Sequence, residues 1–438
     1  TGIARVKIVV SWTSTSDTHY IRYRLQNGNF ISRTVDNSKS YEILDTIAGN
    51  YQIEVYSVSS SGLRSTTFNT PQSPFFVAKG KTDPPSNVSG VSLLPIDETS
   101  AILSWNRATE LDVLLGGKTL IRHSSKTTGA QWKDGQNIVV AAAGNQTQKI
   151  VPLLAGTYLI KFEDDGGRES PSPGSQDSAW NNTRVTTNLP APSERLVVEN
   201  VDEHTPNFTG SKTNTIYDSS LDALKLAITN NAVSTTGEYV FTNSVDLTQP
   251  YDVNLKKVLE ASSFNLNNLW DDRVDLIDSW GYIDQVGGLT EATKCNAAVY
   301  VRSTNDNPSG SPTWSAYKEF SNVLITGRAF QFKAILTSND TNQNIAVTKL
   351  GAKLELQGRT ESISTPVTTG SSQYSVSFTN AFKQTPTVVV TPTNQQSGDF
   401  HELANISRTG FQVTFKNGSS AVARSFVWAA SGFGKEVT

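Results

Sequence analysis

Along most of this chain apolar residues alternate with polar ones, as in Tyr51-Gln-Ile-Glu-Val55, Thr387-Val-Val-Val-Thr391 and Phe411-Gln-Val-Thr-Phe415. Side chains on a strand point alternately to its two faces, so this pattern predicts strands with one face on a core and one in water. Turn-forming pairs punctuate the pattern: Asn27-Gly28, Ala48-Gly49, Gly116-Gly117, Gly166-Gly167, Ser309-Gly310 and Asn417-Gly418. Short strands separated this way predict β-sandwiches. Only residues 221–229 have a spacing that fits a helix as well as a buried strand.

A repeat organises the first part. Ala48-Gly-Asn-Tyr-Gln-Ile53 leads to Gly62-Leu-Arg-Ser65, and Ala155-Gly-Thr-Tyr-Leu-Ile160 leads to Gly167-Arg-Glu-Ser170. A Ser-Trp pair precedes each copy, Ser11-Trp12 and Ser104-Trp105, and the second copy carries an insertion between Leu111 and Trp132. A tryptophan early and a G-x-Y-x-I strand late resembles the fibronectin type III sandwich. That resemblance implies a Trp between the sheets and a Tyr hydroxyl tying its strand to the preceding corner. Pro84 and Pro85, which cannot donate ladder bonds, suit a stiff junction between the copies. The first copy lacks a clear first strand.

After Pro171 the strands become longer and aromatic-rich, among them Tyr239-Val-Phe241, Ala297-Ala-Val-Tyr-Val301 and Arg328-Ala-Phe-Gln-Phe-Lys333. The expected architecture is therefore all-β. Type III-like sandwiches are expected over 1–80 and 81–173, and a larger jelly-roll-like sandwich over 174–359. A Thr/Ser linker from Thr360 to Ser372 then opens a small terminal sandwich over 360–438.

Composition narrows the function. Charged residues make up 18% and the net charge is −3, so nothing favours nucleic acid or an anionic membrane surface. No apolar run approaches the ~20 residues of a membrane span. The lone Cys295 permits no intrachain disulfide, and the absence of methionine predicts that this is part of a longer polypeptide.

Three features resemble the tail-tip host-specificity proteins, or central tail fibres, of long-tailed bacteriophages. The second repeat copy, with Asp112-Val-Leu-Leu-Gly-Gly-Lys-Thr-Leu-Ile-Arg-His123 and Trp132, looks like modules of those proteins. The stretch from Tyr300-Val-Arg-Ser-Thr through Ser311-Pro-Thr-Trp-Ser-Ala-Tyr317 to Arg328 is similar to a sandwich recurring in them. The terminal unit, with Phe378, Phe382, Pro386, Gly398-Asp399, Gly410-Phe411 and Trp428-Ala-Ala-Ser-Gly432, resembles the H-type lectin-like domain. The resemblance implies a homotrimer in the extracellular virion tail tip, with other tail-tip proteins and a bacterial surface receptor or glycan as partners. The alternative is the accessory region of a secreted bacterial glycan-degrading enzyme, with type III spacers and a carbohydrate-binding domain.

No catalytic centre or cofactor is expected. The four histidines, His19, His123, His204 and His401, fall in no metal-binding spacing, and no nucleophile elbow, P-loop or dinucleotide fingerprint occurs. Asp271, Asp272, Asp275 and Asp278 beside Trp270 and Trp280 admit three readings: a solvated acidic turn, a calcium loop or a glycosidase carboxylate pair. Trp314 is read as packed on a sandwich edge, with sugar stacking as the alternative, and Trp428 as core. Receptor or glycan contact is expected at the polar loop carrying Asn394, Gln396, Asp399, Phe400, His401 and Glu402, with Arg424 near it. Amide, carboxylate and imidazole groups beside an aromatic face are what sugar hydroxyls and ring faces require. A loop merely solvated or packed between subunits is the other reading, and Arg424 is equally suited to an intersubunit pair.

Overall fold

The computed structural model describes residues 6–47, 49–69, 75–78, 84–171, 184–187, 195–266, 292 and 294–437. The described chain is almost entirely β and contains four separate hydrophobic clusters.

The first cluster lies between a two-stranded sheet, Val6–Ser11 with Ser40–Thr46, and a four-stranded sheet ordered Ile31–Asp36, Thr18–Leu25, Gly49–Val58, Phe76–Ala78. Alternation supplies its core: Ile8, Val10, Ile21, Ile43 and Ile53 all point between the sheets. The second unit repeats this plan. Gln148–Pro152, Ser100–Ser104 and Ser92–Pro95 form one sheet, and Lys118–Ser124 and Gly156–Glu163 are the centre of the other. Trp105 is buried between them, as is Tyr158. The Tyr158 hydroxyl donates to the Pro152 carbonyl at 2.6 Å and accepts from the Leu154 amide at 2.7 Å, the corner tie expected of a type III sandwich. In the first unit Tyr51 makes a weaker version, accepting from the Ile47 amide at 3.2 Å.

The insertion of the second unit forms a short helix, Leu111–Gly116, and a 3-10 turn, Trp132–Asp134. Asp134 holds the turn by accepting from the Gln131 amide at 3.0 Å and from Lys126 at 2.9 Å. Trp132 lies on the sheet beneath the Arg122 guanidinium and the Lys161 ammonium, 5.0 and 4.9 Å from its ring. This explains why Gly156–Glu163 is buried on both faces rather than alternating. Gly135 permits the close approach, since a Cβ there would stand 2.8 Å from the Arg122 Cβ and 3.0 Å from Leu159 Cδ1.

The same insertion meets the third unit. Gln136 Oε1 accepts from the Ala297 amide at 2.7 Å, and the Asn137 amide donates to Asn296 Oδ1 at 2.8 Å. Asn322 Nδ2 donates to the Glu98 and Leu153 carbonyls, both at 2.9 Å. Glu98 pairs with Arg195, which also reaches Glu355.

The third unit is built on three long strands, Val245–Asn265, Asn322–Ser338 and Gln343–Thr368. Asn322–Ser338 pairs with Val245–Asn265 along its first half and lies between Thr236–Val240 and Cys295–Thr304 along its second. Phe208, Tyr239, Phe241, Phe330 and Phe332 fill the interior. Residues 221–229 form strands Ala223–Leu226 and Ile228–Thr229, with Leu224 and Leu226 in the core, so the strand reading of that segment holds.

One expectation is corrected. The Thr/Ser stretch from Thr360 is strand to Thr368, not linker. Its alternating Thr, Ile and Val are β-branched and suit a pleated sheet, which outweighs the loop bias of serine. The strand Gln343–Thr368 thus belongs to two units, pairing with Val245–Asn265 early and with Ser425–Phe433 late. The terminal unit packs the sheet 358–368, Ser425–Phe433, Thr387–Pro392 against the sheet Tyr374–Ser377, Gly410–Asn417, Asp399–Ala404. Phe378, Phe382, Phe411 and Trp428 cluster between them at ring separations of 5.2–6.0 Å. Arg408 reinforces the joint, donating to the Phe382 carbonyl, Tyr251 Oη and Glu436 at 2.8, 2.6 and 2.7 Å.

Candidate functional site

The loop expected to make contact connects the two sheets of the terminal unit. Residues 393–398 leave strand Thr387–Pro392 of one sheet and enter Asp399–Ala404 of the other. Gly398, at φ +83°, makes the left-handed turn into the new strand. Arg424 stands just before Ser425–Phe433 and grips Asp399 with two hydrogen bonds, Nε to Oδ2 at 2.5 Å and Nη2 to Oδ1 at 3.0 Å. The Gln396 amide and Asn417 Nδ2 donate to the same carboxylate at 2.6 and 2.9 Å. Asn394 Oδ1 accepts from the Ser425 amide at 2.6 Å, and Gln396 Oε1 accepts from Arg424 at 3.2 Å.

These groups form a clamp between sheets. A bidentate guanidinium–carboxylate pair is both strong and geometrically restrictive. The Asp399 side chain is fully enclosed, and the Arg424 bond, with further donors, holds its pKa far below the usual carboxylate range. Asn394, Gln396, Asp399 and Arg424 therefore share one place, but their polar atoms are directed at each other.

The remaining candidates separate by strand parity. Phe400 and Glu402 face outward, with Lys416 and Thr414 opposite them on Gly410–Asn417. Phe400 is 42% exposed and Glu402 pairs with Lys416 at 2.6 Å. Gln412, joined by side-chain bonds to Asn405 and Ser375, extends the same face. His401 faces the other way, its ring 5.6 Å from that of Phe415. The result is an aromatic platform surrounded by amide, hydroxyl, ammonium and carboxylate groups on a braced sheet. Such a surface can stack a sugar ring and bond its hydroxyls. Gln412, Thr414 and Lys416 escaped the sequence reading. Their polar alternation in Phe411-Gln-Val-Thr-Phe-Lys416 marks an outer face, but only strand pairing shows that Phe400 shares it.

Trp314 is half-buried beneath the Arg302 guanidinium, which lies 5.2 Å from its ring and 4.8 Å from that of Tyr317, an edge-packing role. Trp428 is core. Asp271, Asp272, Asp275 and Asp278, with Trp270 and Trp280, lie outside the described residues. Among the described residues no three His, Cys, Asp or Glu side chains gather as a metal would need, and no helix is long and apolar enough to cross a membrane.

No protein-family model and no curated protein matches this chain. Among solved structures, a two-domain fibronectin type III segment of chicken tenascin is similar over 39% of this chain and 91% of that one, at 17% identity and a TM-score of 0.24. The FN1–FN3 segment of chicken CNTN1 is similar over 40% of this chain and 62% of that one, at 17% identity and a TM-score of 0.20. Likenesses this weak carry no argument. The type III-like character of the first two units rests on their sheet orders, the buried Trp105 and the tyrosine corners.

Proposed function

We propose that this chain is a non-enzymatic, structural and adhesive protein that holds a binding face at the end of a row of rigid β-modules. In its fullest form the proposal is the host-facing part of a bacteriophage tail fibre, assembled as a homotrimer and touching a bacterial surface receptor or glycan. The observation that carries it is the strand Gln343–Thr368, which runs from the third unit into the terminal one, passing from pairing with Val245–Asn265 to pairing with Ser425–Phe433, with an irregularity further on, between Ile363 and Val367. Force or position at one unit is thereby transmitted to the other through a backbone ladder. The outward face at Phe400 then supplies planar apolar surface with directional polar partners.

A threefold assembly would present three copies of one weak site, and avidity can raise apparent affinity by about 10²–10⁴ when the receptor array allows simultaneous engagement. The test has two parts. Light scattering on the purified chain is expected to give a trimer. Cell-binding by the labelled chain is expected to need Phe400. A stable monomer that binds soluble polysaccharide would favour the accessory region of a glycan-degrading enzyme instead. Release of reducing ends from that polysaccharide would contradict the non-enzymatic reading.

A further inference from the structure

A cleft of about 320 Å³ opens between the corner at Leu153 to Ala155 of the second unit and the strand Val245–Asn265 of the third. Lys256, Lys257, Lys349 and Lys353 line it together with Glu260 and His123. Strand pairing explains the crowding. Lys256 is opposite Lys353, so like charges meet there across neighbouring strands, while Glu260 is opposite Lys349, with Val258 and Gly351 between. Like charges directly opposite are unfavourable unless something neutralises them.

The acids present do not suffice. Lys256 and Lys353 share the single carboxylate of Glu355, at 2.8 and 3.1 Å, and Arg195 reaches that same carboxylate at 3.3 Å. Lys349 takes Glu260 at 2.8 Å. Arg195 also has Glu98. The Lys257 side chain has no hydrogen-bonded or ion-paired partner among the described residues, and Glu319 is the one acid that stabilises its charge. His123 is 8% exposed, packs its ring 4.9 Å from that of Tyr158, and leaves Nε2 buried without a partner. A buried polar atom left unpaired costs free energy, as does a desolvated cation whose counter-charge is not in contact with it. Both deficits lie in one cleft.

From this geometry we infer that the cleft between the second and third units is a binding site for an oxyanion, a phosphate or phosphodiester group, held by Lys257 with His123 and the flanking lysines. The anion completes the set of donors. It accepts from Lys257 and, once acid protonates the ring, from His123, and it draws the two units together across their junction. Titration behaviour agrees with an incomplete site. Burial lowers Lys257 to about 8, and burial and the Lys257 charge lower His123 to about 3, so each resists a positive charge that an anion would favour. This site is separate from the Phe400 face, and its test does not depend on that reading.

Sulfate is the probe for pH dependence, because its charge is constant over the range. Calorimetric titration of the full chain should show sulfate binding that weakens about tenfold or more between pH 7 and pH 9.5, as Lys257 loses its proton. Lys257→Met should lower sulfate affinity about tenfold or more at pH 7, the equivalent of one charge-assisted bond, and Lys7→Met should leave it unchanged. Without anion, Lys257→Met should melt at a higher temperature than the wild type, since it removes an unpaired charge, and sulfate should narrow that gap. His123→Gln should retain binding but flatten its strengthening at acid pH. Inorganic phosphate and glycerophosphoglycerol are then compared. Binding of either upholds the site, and the tighter one distinguishes a free ion from a polymer's phosphodiester. The inference is overturned if none of these anions binds at millimolar concentration, or if binding survives Lys257→Met undiminished with the same pH profile.

Discussion

Tyr158→Phe removes one oxygen atom from a position that two backbone groups share, one buried and one partly buried. The ring is fully enclosed, so the substitution leaves its packing intact and opens almost no cavity. What is lost is the bond to the Pro152 carbonyl at 2.6 Å and that from the Leu154 amide at 2.7 Å. The Leu154 amide then stays buried without a partner, at about 1–3 kcal/mol, and the partly buried Pro152 carbonyl adds about 1 kcal/mol, so the expected cost is about 2–4 kcal/mol. The same change at Tyr51 releases a single longer bond, 3.2 Å to the Ile47 amide at a half-buried corner, and about 0.5–1.5 kcal/mol is expected. Hydrogen exchange of the full chain reads both locally. Peptides covering 148–163 should exchange roughly 30-fold faster or more in Tyr158→Phe, and those covering 43–56 about tenfold or less in Tyr51→Phe. Burial also pushes the Tyr158 phenol up to about 12 from 10.0, so its support persists below pH 10 and is lost as pH rises through 12. Equal effects at the two tyrosines, or less than a fivefold change at Tyr158, would refute the claim that the corner bonds stabilise these sandwiches.

Other consequences are as direct. Gly135→Ala should destabilise the second unit by about 1–3 kcal/mol, because its Cβ would meet Arg122 and Leu159 at 2.8 and 3.0 Å; a thermal melt checks it. His123 is buried as the neutral ring with its folded value lowered, so its contribution is complete above the ordinary 6.5 and declines as pH falls towards about 3; His123→Gln should flatten that part of the stability profile. Asp399 is depressed too, so its support is complete above about 3.8 and is lost only in stronger acid; Asp399→Asn should loosen residues 394–400 at neutral pH, seen as faster exchange there. Arg408→Met should raise exchange at the joint between the third and terminal units, near Tyr251 and Glu436, more than in either core.

Much of this fold was legible in the residues. Alternation located the strands, and the paired Trp and Gly-x-Tyr patterns identified two related sandwiches. The misreading at Thr360 to Thr368 arose because serine and threonine signal loops by composition, whereas Thr-Glu-Ser-Ile-Ser-Thr-Pro-Val-Thr also carries β-branched residues in strand order. The helix Leu111–Gly116 was missed because six residues, the last of them already a glycine, offer no periodicity to read. For the site, residue chemistry selected the right loop but not the division of labour. Asp399 and Arg424 differ by 25 positions and meet only because the loop changes sheets. The orientation of His401 followed from strand parity, once the strand start at Asp399 was known. The basic cleft was invisible, since it needs the register of Val245–Asn265 against Gln343–Thr368 and the docking of a different unit.

Adhesion through the terminal sheet face is tested most directly by sedimenting susceptible bacteria with the labelled full chain and with Phe400→Ala, Thr414→Ala and Lys416→Ala. The account predicts saturable wild-type binding, reduced about tenfold or more by Phe400→Ala, with melting temperatures nearly unchanged because these side chains lie on the solvent side. Full binding by all three variants, or binding that follows a change elsewhere in the chain, would contradict it.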